Sequence, residues 1–287
     1  MVIILLIFTI LLGIIVGILI GLVSVGGSII LTSILIIFSL YFQPVLSMKQ
    51  IVTTTSIFTL FTLISGTVYY SYKKLVDKSI VYSFGLPAFI ASIVASLYSN
   101  SISDTILQGV FVFFALCAVI FIIYPDPNNK LHKLRNFKIL IIVISVLIGI
   151  IGGMIGVGAG FLFVPIFMKV HKLPIKKAIG TGMVVGAILC VGTIMGKLDS
   201  SYIRLDVVLP ISIAGVFGAM VGGRLTKYFK DKYLHIFMSS IIALLSIQAM
   251  ASFLKEILLF PVYIVVVIVV FMIIVFSYFI YKFNREI

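Results

Sequence analysis

Eleven apolar runs fill this chain, at 2–23, 28–42, 50–71, 79–98, 105–124, 138–155, 160–170, 178–196, 206–224, 233–252 and 258–281. The turns between them are short. Runs of about 18 or more apolar residues are long enough to cross a bilayer as helices, which satisfy their own backbone polar groups in lipid. At 62% hydrophobic and 10% charged residues, and mean hydropathy +1.35, no soluble core has room for so much apolar surface. The alternation of apolar and polar residues that marks a membrane barrel is absent. The pattern predicts an all-α, polytopic helical membrane protein. The first run starts at Val2 with no basic stretch before it and no small-residue cleavage site, which predicts a retained helix and not a signal peptide.

Two runs are short. At 1.5 Å per residue, 160–170 is about 17 Å long, well under a ~30 Å hydrocarbon core. Both short runs follow a glycine-rich break. The first is Gly21-Leu22-Val23-Ser24-Val25-Gly26-Gly27-Ser28; the second is Gly153-Met154-Ile155-Gly156-Val157-Gly158-Ala159-Gly160. They superpose at an offset of 132 residues, with Ser24, Gly26 and Ser28 on Gly156, Gly158 and Gly160. Each predicts a helical hairpin with a broken tip. Broken helices at matching places in two halves are the best sequence pointer to a transported-substrate site.

The net charge of +13 resembles a nucleic-acid signal, but the cations sit in short loops between apolar runs, where they set membrane orientation. No nucleic-acid partner is expected; the bilayer is. If each broken pair returns to its starting side, 17 of the 21 basic residues share one side. They are Lys73, Lys74 and Lys78; Lys130, Lys133, Arg135 and Lys138; Lys169, Lys172, Lys176 and Lys177; Arg224, Lys227, Lys230 and Lys232; and Lys282 and Arg285. Only Lys49, Lys197, Arg204 and Lys255 face the other. This predicts a multi-pass plasma-membrane protein with the N-terminus outside and the C-terminus cytoplasmic. A hairpin plus three helices crosses an odd number of times, so the second repeat is inverted. The expected organisation is a first repeat at 1–124, a linker at 125–137 with Pro125-Asp126-Pro127-Asn128-Asn129, a second repeat at 138–252 and an extra C-terminal helix at 253–287. Pro87 and Pro210 add an internal match, one proline in the helix two after each broken pair.

All eight acids lie in loops or at run ends, and no Lys or Arg lies mid-span. The interior therefore offers no proton relay and no carboxylate cage for a cation. It does offer broken backbone and hydroxyls. Unpaired N–H groups at the start of a helix, with the helix dipole, make an anion site without formal charge. The candidate residues are Ser24, Gly26, Gly27, Ser28, Thr53 and Thr54 in the first half, and Gly156, Gly158, Gly160 and Thr181 in the second. Thr53 and Thr181 read equally well as helix caps. The sets Gly13/Gly17/Gly21, Gly149/Gly153, Gly152/Gly156/Gly160, Gly182/Gly186, Gly192/Gly196 and Gly218/Gly222 have the small-xxx-small spacing of closely packed helices. His132, His171 and His235 sit at run ends. Cys117 and Cys190 have neither metal nor redox spacing. No enzyme or nucleotide-binding motif is present, and no cofactor or metal is expected.

Gly21-x-x-Ser24-Val25-Gly26-Gly27-Ser28-Ile29-Ile30-Leu31 with Thr53-Thr54, repeated as Gly156-Val157-Gly158-Ala159-Gly160-Phe161-Leu162-Phe163-Val164-Pro165 with Ala178-Ile179-Gly180-Thr181-Gly182, resembles the sulfite exporter TauE/SafE family of membrane permeases. The first half departs from that pattern, with Ser28 at the third glycine and Thr32 or Ser33 at the proline. The resemblance implies transport of small sulfur-containing anions such as sulfite or organosulfonates, usually outward. The residues themselves point only to a small-anion transporter working by alternating access. A passive anion pore and a non-transport membrane scaffold remain as alternatives, and assembly as a homo-oligomer is left open.

Overall fold

The computed structural model describes residues 2–24, 30–32, 34–35, 48–99, 101–102, 137–155, 160–197, 203 and 205–241. The expected helix at 105–124, the linker and the C-terminal helix lie outside the described residues. Those described form helices and turns, with no strand. The elements are α1 (Val2–Val23), α2 (Met48–Tyr72), α3 (Lys78–Ser99), α4 (Phe137–Ile155), α5 (Gly160–Lys169), α6 (Ile175–Gly196) and α7 (Leu205–Leu225). A 3₁₀ turn at Thr226–Tyr228 and a helical stretch at 231–241 follow. Among the described residues, four helices are long and apolar enough to cross a membrane by length and composition: α2, α3, α6, and α7 with its 3₁₀ extension.

Backbones touch where glycine removes the side chain. A Cβ on Gly13 would lie 2.9 Å from the Ala214 Cβ, one on Gly17 2.9 Å from the Gly215 Cα, and one on Gly21 2.9 Å from the Ala219 Cα. Gly218 and Gly222 return the favour against Ile14 and Ile18. α1 and α7 therefore run in the same direction in close contact. α4 meets α3 in the same way, Gly149 against Ala88 and Gly153 against Ser92. These glycines are packing residues, as their spacing predicts.

α2 and α6 form the centre. They run in opposite directions, since Gly66 faces Met183 while Gly180 faces Tyr70 and Leu75. α2 lies alongside α7: Ser65 Oγ donates to the Val216 carbonyl at 2.9 Å, and Gly223 packs on Tyr69. α6 lies alongside α3: Ser96 Oγ donates to Thr193 O at 2.7 Å. The outer helices turn apolar rows outward, such as Leu86, Ile90, Val94 and Leu97 on α3 and Leu209, Ile213 and Phe217 on α7. In lipid that arrangement is favourable, because the tails are as apolar as the side chains.

The two groups of contacts are copies of each other. A shift of 127 positions turns the Ser65–Val216 pair into Gly192–Phe89, and a Cβ on Gly192 would lie 3.0 Å from Phe89 O. The same shift turns Tyr69–Gly223 into Gly196–Ser96, again a contact. With α1 shifted by 132, Gly17–Gly215 becomes Gly149–Ala88, and Gly21–Ala219 becomes Gly153–Ser92. The proline match holds at the level of helices and is offset in this register. Pro87 and Pro210 lie inside α3 and α7 but are 123 apart, about one turn out. Register is set where backbones touch, and both prolines stand beside those contacts.

Candidate functional site

The first break begins at Ser24. Its backbone is left-handed (φ 56°), a conformation rare for a non-glycine residue, and its N–H closes the last turn on Ile20 O at 2.7 Å. Its side chain is buried, and its hydroxyl has no hydrogen-bond partner among the described residues. A Cβ on Gly182 of α6 would sit 3.7 Å from Ser24 Oγ, 3.3 Å from Val164 Cγ2 and 3.7 Å from Phe163 Cβ. The fold thus brings the first break of one half against the short helix and central helix of the other. Gly26, Gly27 and Ser28 lie outside the described residues.

α5 is the short helix expected after the second break, ten residues from Gly160 to Lys169. It folds back on α6 through a tight turn in which the Leu173 N–H bonds to Phe167 O at 3.1 Å. Because Gly182 meets Phe163 and Val164, the first turn of α5 runs alongside the middle of α6. Phe84 of α3 wedges α5 in place, edge-on to Phe163 (5.6 Å) and Phe167 (5.2 Å). Gly160 opens this helix, and its first-turn N–H groups have no intrahelical acceptors. Gly156 and Gly158 lie outside the described residues.

The threonines are not caps. α2 starts at Met48 and α6 at Ile175, so Thr53, Thr54 and Thr181 sit one to two turns inside. Thr53 and Thr54 are buried, and the Thr54 hydroxyl has no partner among the described residues. Thr181 is buried too, but its hydroxyl is engaged: it donates to Lys177 O at 2.7 Å and accepts the Asp77 N–H at 3.0 Å. The contact register makes Thr54, 127 positions earlier, its counterpart in place of Thr53. Neighbouring hydroxyls on α2 are also spent on their own helix, Thr55 on Ile51 O and Ser56 on Val52 O.

Three residues here were not singled out by sequence reasoning. Asp77 caps α3 through its carboxylate, which accepts the Ser79 and Ile80 N–H groups at 3.1 and 3.3 Å. It also receives the Lys177 ammonium at 2.8 Å. That bond, with Coulomb attraction and the cap bonds, outweighs partial burial and holds the carboxyl below the usual carboxylate range. Lys176 pairs with Asp231 at 3.5 Å, so the loops after α2, α5 and α7 meet at one end of the bundle. Tyr70, fully buried, brings its hydroxyl within 3.1 Å of Gly21 O, 3.4 Å of Leu22 O and 2.8 Å of Thr226 Oγ1. Lys197, just past α6, is only 5% exposed, and its Nζ lies 3.4 Å from Met154 O. Only a tyrosine and a lysine at run ends were visible in the sequence, and such residues ordinarily mark an interface.

Among the described residues no group of three His, Cys, Asp or Glu gathers to hold a metal. Backbone N–H groups and hydroxyls at a break between two halves suit binding and release of a small polar solute.

Comparison with known proteins bears on this directly. The chain is 26% identical over 267 residues to the probable membrane transporter protein YunE of Bacillus subtilis, covering 84% of this chain and 96% of that one. It is 24% identical over 252 residues to the probable membrane transporter protein MJ0441 of Methanocaldococcus jannaschii, covering 83% and 92%. No solved structure matches it. The family described as Sulfite exporter TauE/SafE matches residues 9–249, from the first turns of α1 to beyond the last described helix. Both breaks and the whole bundle around them fall inside that match, and the chain accordingly belongs to the sulfite exporter TauE/SafE family, a multi-pass membrane transporter.

Proposed function

We propose that this transporter moves small anions of the sulfite or organosulfonate type outward across the plasma membrane, by alternating access between two inverted repeats. The observation that carries the reading is the pair of copied contact sets. α1, α2 and α7 run one way and α3, α4 and α6 the other, so helices equivalent under the shift run in opposite directions. Two such halves exchange conformations at no intrinsic cost, and that degeneracy is what alternating access needs. The substrate would sit between Ser24, the α5 start at Gly160 and Gly182. There helix N-termini and hydroxyls contribute roughly 0.3–2 kcal/mol each. The bilayer is the partner, with the Asp77 and Lys177 end facing the cytoplasm because most basic clusters gather there.

Flux of labelled sulfite, sulfate and methanesulfonate in proteoliposomes, with and without a pH gradient, tests it. Saturable flux of at least one anion is expected. Gly26→Val and Gly158→Val should abolish it while leaving the protein inserted, since a Cβ bars close approach to the backbone. Flux that rises linearly with concentration would make the protein a pore, and no anion flux at all would overturn the anion reading.

A further inference from the structure

Several glycines of this bundle stand where a side chain would strike a neighbouring backbone. Gly182 does not. On the same helix, a Cβ at Gly180 would meet Leu75 O, one at Gly192 would lie 3.0 Å from Phe89 O, and one at Gly196 3.0 Å from Leu97 N. At Gly182 the nearest atoms all belong to side chains: Val164 Cγ2 at 3.3 Å, and Phe163 Cβ and Ser24 Oγ at 3.7 Å. That is room for a methyl group, with Val164 giving way slightly. Packing does not require glycine at this buried position, and glycine inside a helix costs stability relative to alanine. A shift of 127 takes Gly182 to Thr55, which is buried and turns its hydroxyl back to Ile51 O at 2.9 Å. The counterpart position in the first half thus carries a side chain.

The room beside Gly182 borders a strained residue. Ser24 has a left-handed backbone, is 4% exposed, and its hydroxyl has no partner among the described residues. A left-handed serine and a buried, unpaired hydroxyl each destabilise the fold. With the helical glycine, three local costs meet at one point, and such clusters mark functional places. The hydroxyl is a donor aimed at the space that the missing side chain leaves. An oxygen accepting from it would stand about 2.7–2.8 Å away. The remaining walls, Phe163 and Val164, are apolar. They suit a hydrocarbon substituent and offer nothing to a further charged oxygen. One donor beside an apolar recess matches an organosulfonate, whose sulfur carries oxygens on one side and an alkyl group on the other.

We infer that Gly182 is a specificity-determining residue: by lacking a side chain it leaves room, beside the Ser24 hydroxyl and against Phe163 and Val164, for the alkyl group of an organosulfonate. The inference rests on the anion-transport reading. The test is flux of labelled methanesulfonate and sulfite in proteoliposomes of wild type, Gly182→Ala and Ser24→Gly, beside melting temperature in detergent. Gly182→Ala should melt at or above wild type, since alanine favours the helix. Its half-saturating concentration for methanesulfonate should rise about tenfold relative to that for sulfite, the worth of one methyl group in an apolar recess. Ser24→Gly suits the left-handed backbone and removes the unpaired hydroxyl, so it should also melt at or above wild type. It should raise both half-saturating concentrations several-fold and leave their ratio unchanged. An unchanged ratio in folded Gly182→Ala would overturn the inference alone. So would wild-type protein that carries sulfite and not methanesulfonate. Absence of flux of either anion in wild type would overturn the transport reading and this inference with it. Should Gly182→Ala melt below wild type, Val164 has not given way. Gly182→Ala combined with Val164→Ala, measured against Val164→Ala, then decides by the same ratio: a rise of about tenfold supports the inference and no change overturns it.

Discussion

The Asp77 end of the bundle and the positions that a shift of 127 makes its counterparts differ in side-chain chemistry. At the first, Asp77 of one half bonds Lys177 at 2.8 Å and gives its N–H to Thr181 at 3.0 Å. A shift of 127 maps Asp77 to Arg204, Lys177 to Gln50 and Thr181 to Thr54. Arginine and glutamine cannot form the ion pair, and the Thr54 hydroxyl meets no partner among the described residues. The backbone contacts match under the shift, whereas the residues of this ion pair do not. The Asp77–Lys177 pair is an ionic clasp that ties the α2–α3 turn to the start of α6.

The largest effect should come from what the halves share. Gly17→Val and Gly149→Val both push a side chain into a facing backbone that cannot move aside. Each should abolish the monodisperse folded peak in detergent, and to the same degree. Overpacking usually costs about 1–3 kcal/mol, with rigid backbone contacts at the upper end. A half that tolerates its glycine change would break the equivalence of the α1–α7 and α4–α3 contacts.

A smaller effect should separate the two threonines. Thr181→Val removes the acceptor of the Asp77 N–H, and leaving that donor unpaired costs about 1–3 kcal/mol. Its melting temperature should fall by several degrees. Thr54→Val removes a hydroxyl with no described partner, so stability should hold or rise. If Thr54 meets substrate, the change appears in half-saturation instead. Equal destabilisation by both would show that the two hydroxyls are fastened alike.

Smallest is the pH dependence of the clasp. Asp77 has its folded-state carboxyl held below its unfolded value. Its contribution is therefore complete at neutral pH and lost as pH falls through and below the ordinary carboxylate range near 4. Asp77→Asn keeps an N-cap but drops the charge. It should melt slightly below wild type at pH 7, by under about 1 kcal/mol for a half-exposed pair, and the two should converge below roughly pH 4. A constant gap across that range would place its origin outside the ion pair.

Much of this architecture could be read before folding. Helix extents followed from run length, and α5 from a run too short to cross a membrane. The glycine contacts followed from spacing, because a stripe without side chains on an apolar helix has few other uses. The register between halves did not follow. It pairs Ser65 with Gly192 and Tyr70 with Lys197, residues with no chemical likeness, so the correspondence lies in the contacts and hardly in side-chain identity. Of the site, the breaks were visible and Ser24 proved to face the other half. The bond of Lys197 to Met154 O was not visible, because nothing local distinguishes a lysine at a loop from one that reaches back under α4.

The glycine stripe of α1 carries a consequence for how the protein is made. Gly13 meets Ile211 and Ala214, roughly 200 residues later in the chain. At about 5–20 residues per second, α1 sits in the membrane for some 10–40 s before its partner helix is synthesised. Through that interval its smooth face lies open to lipid or to any small-residue helix nearby. The close packing of α1 thus waits for α7, a helix of the second half of the chain.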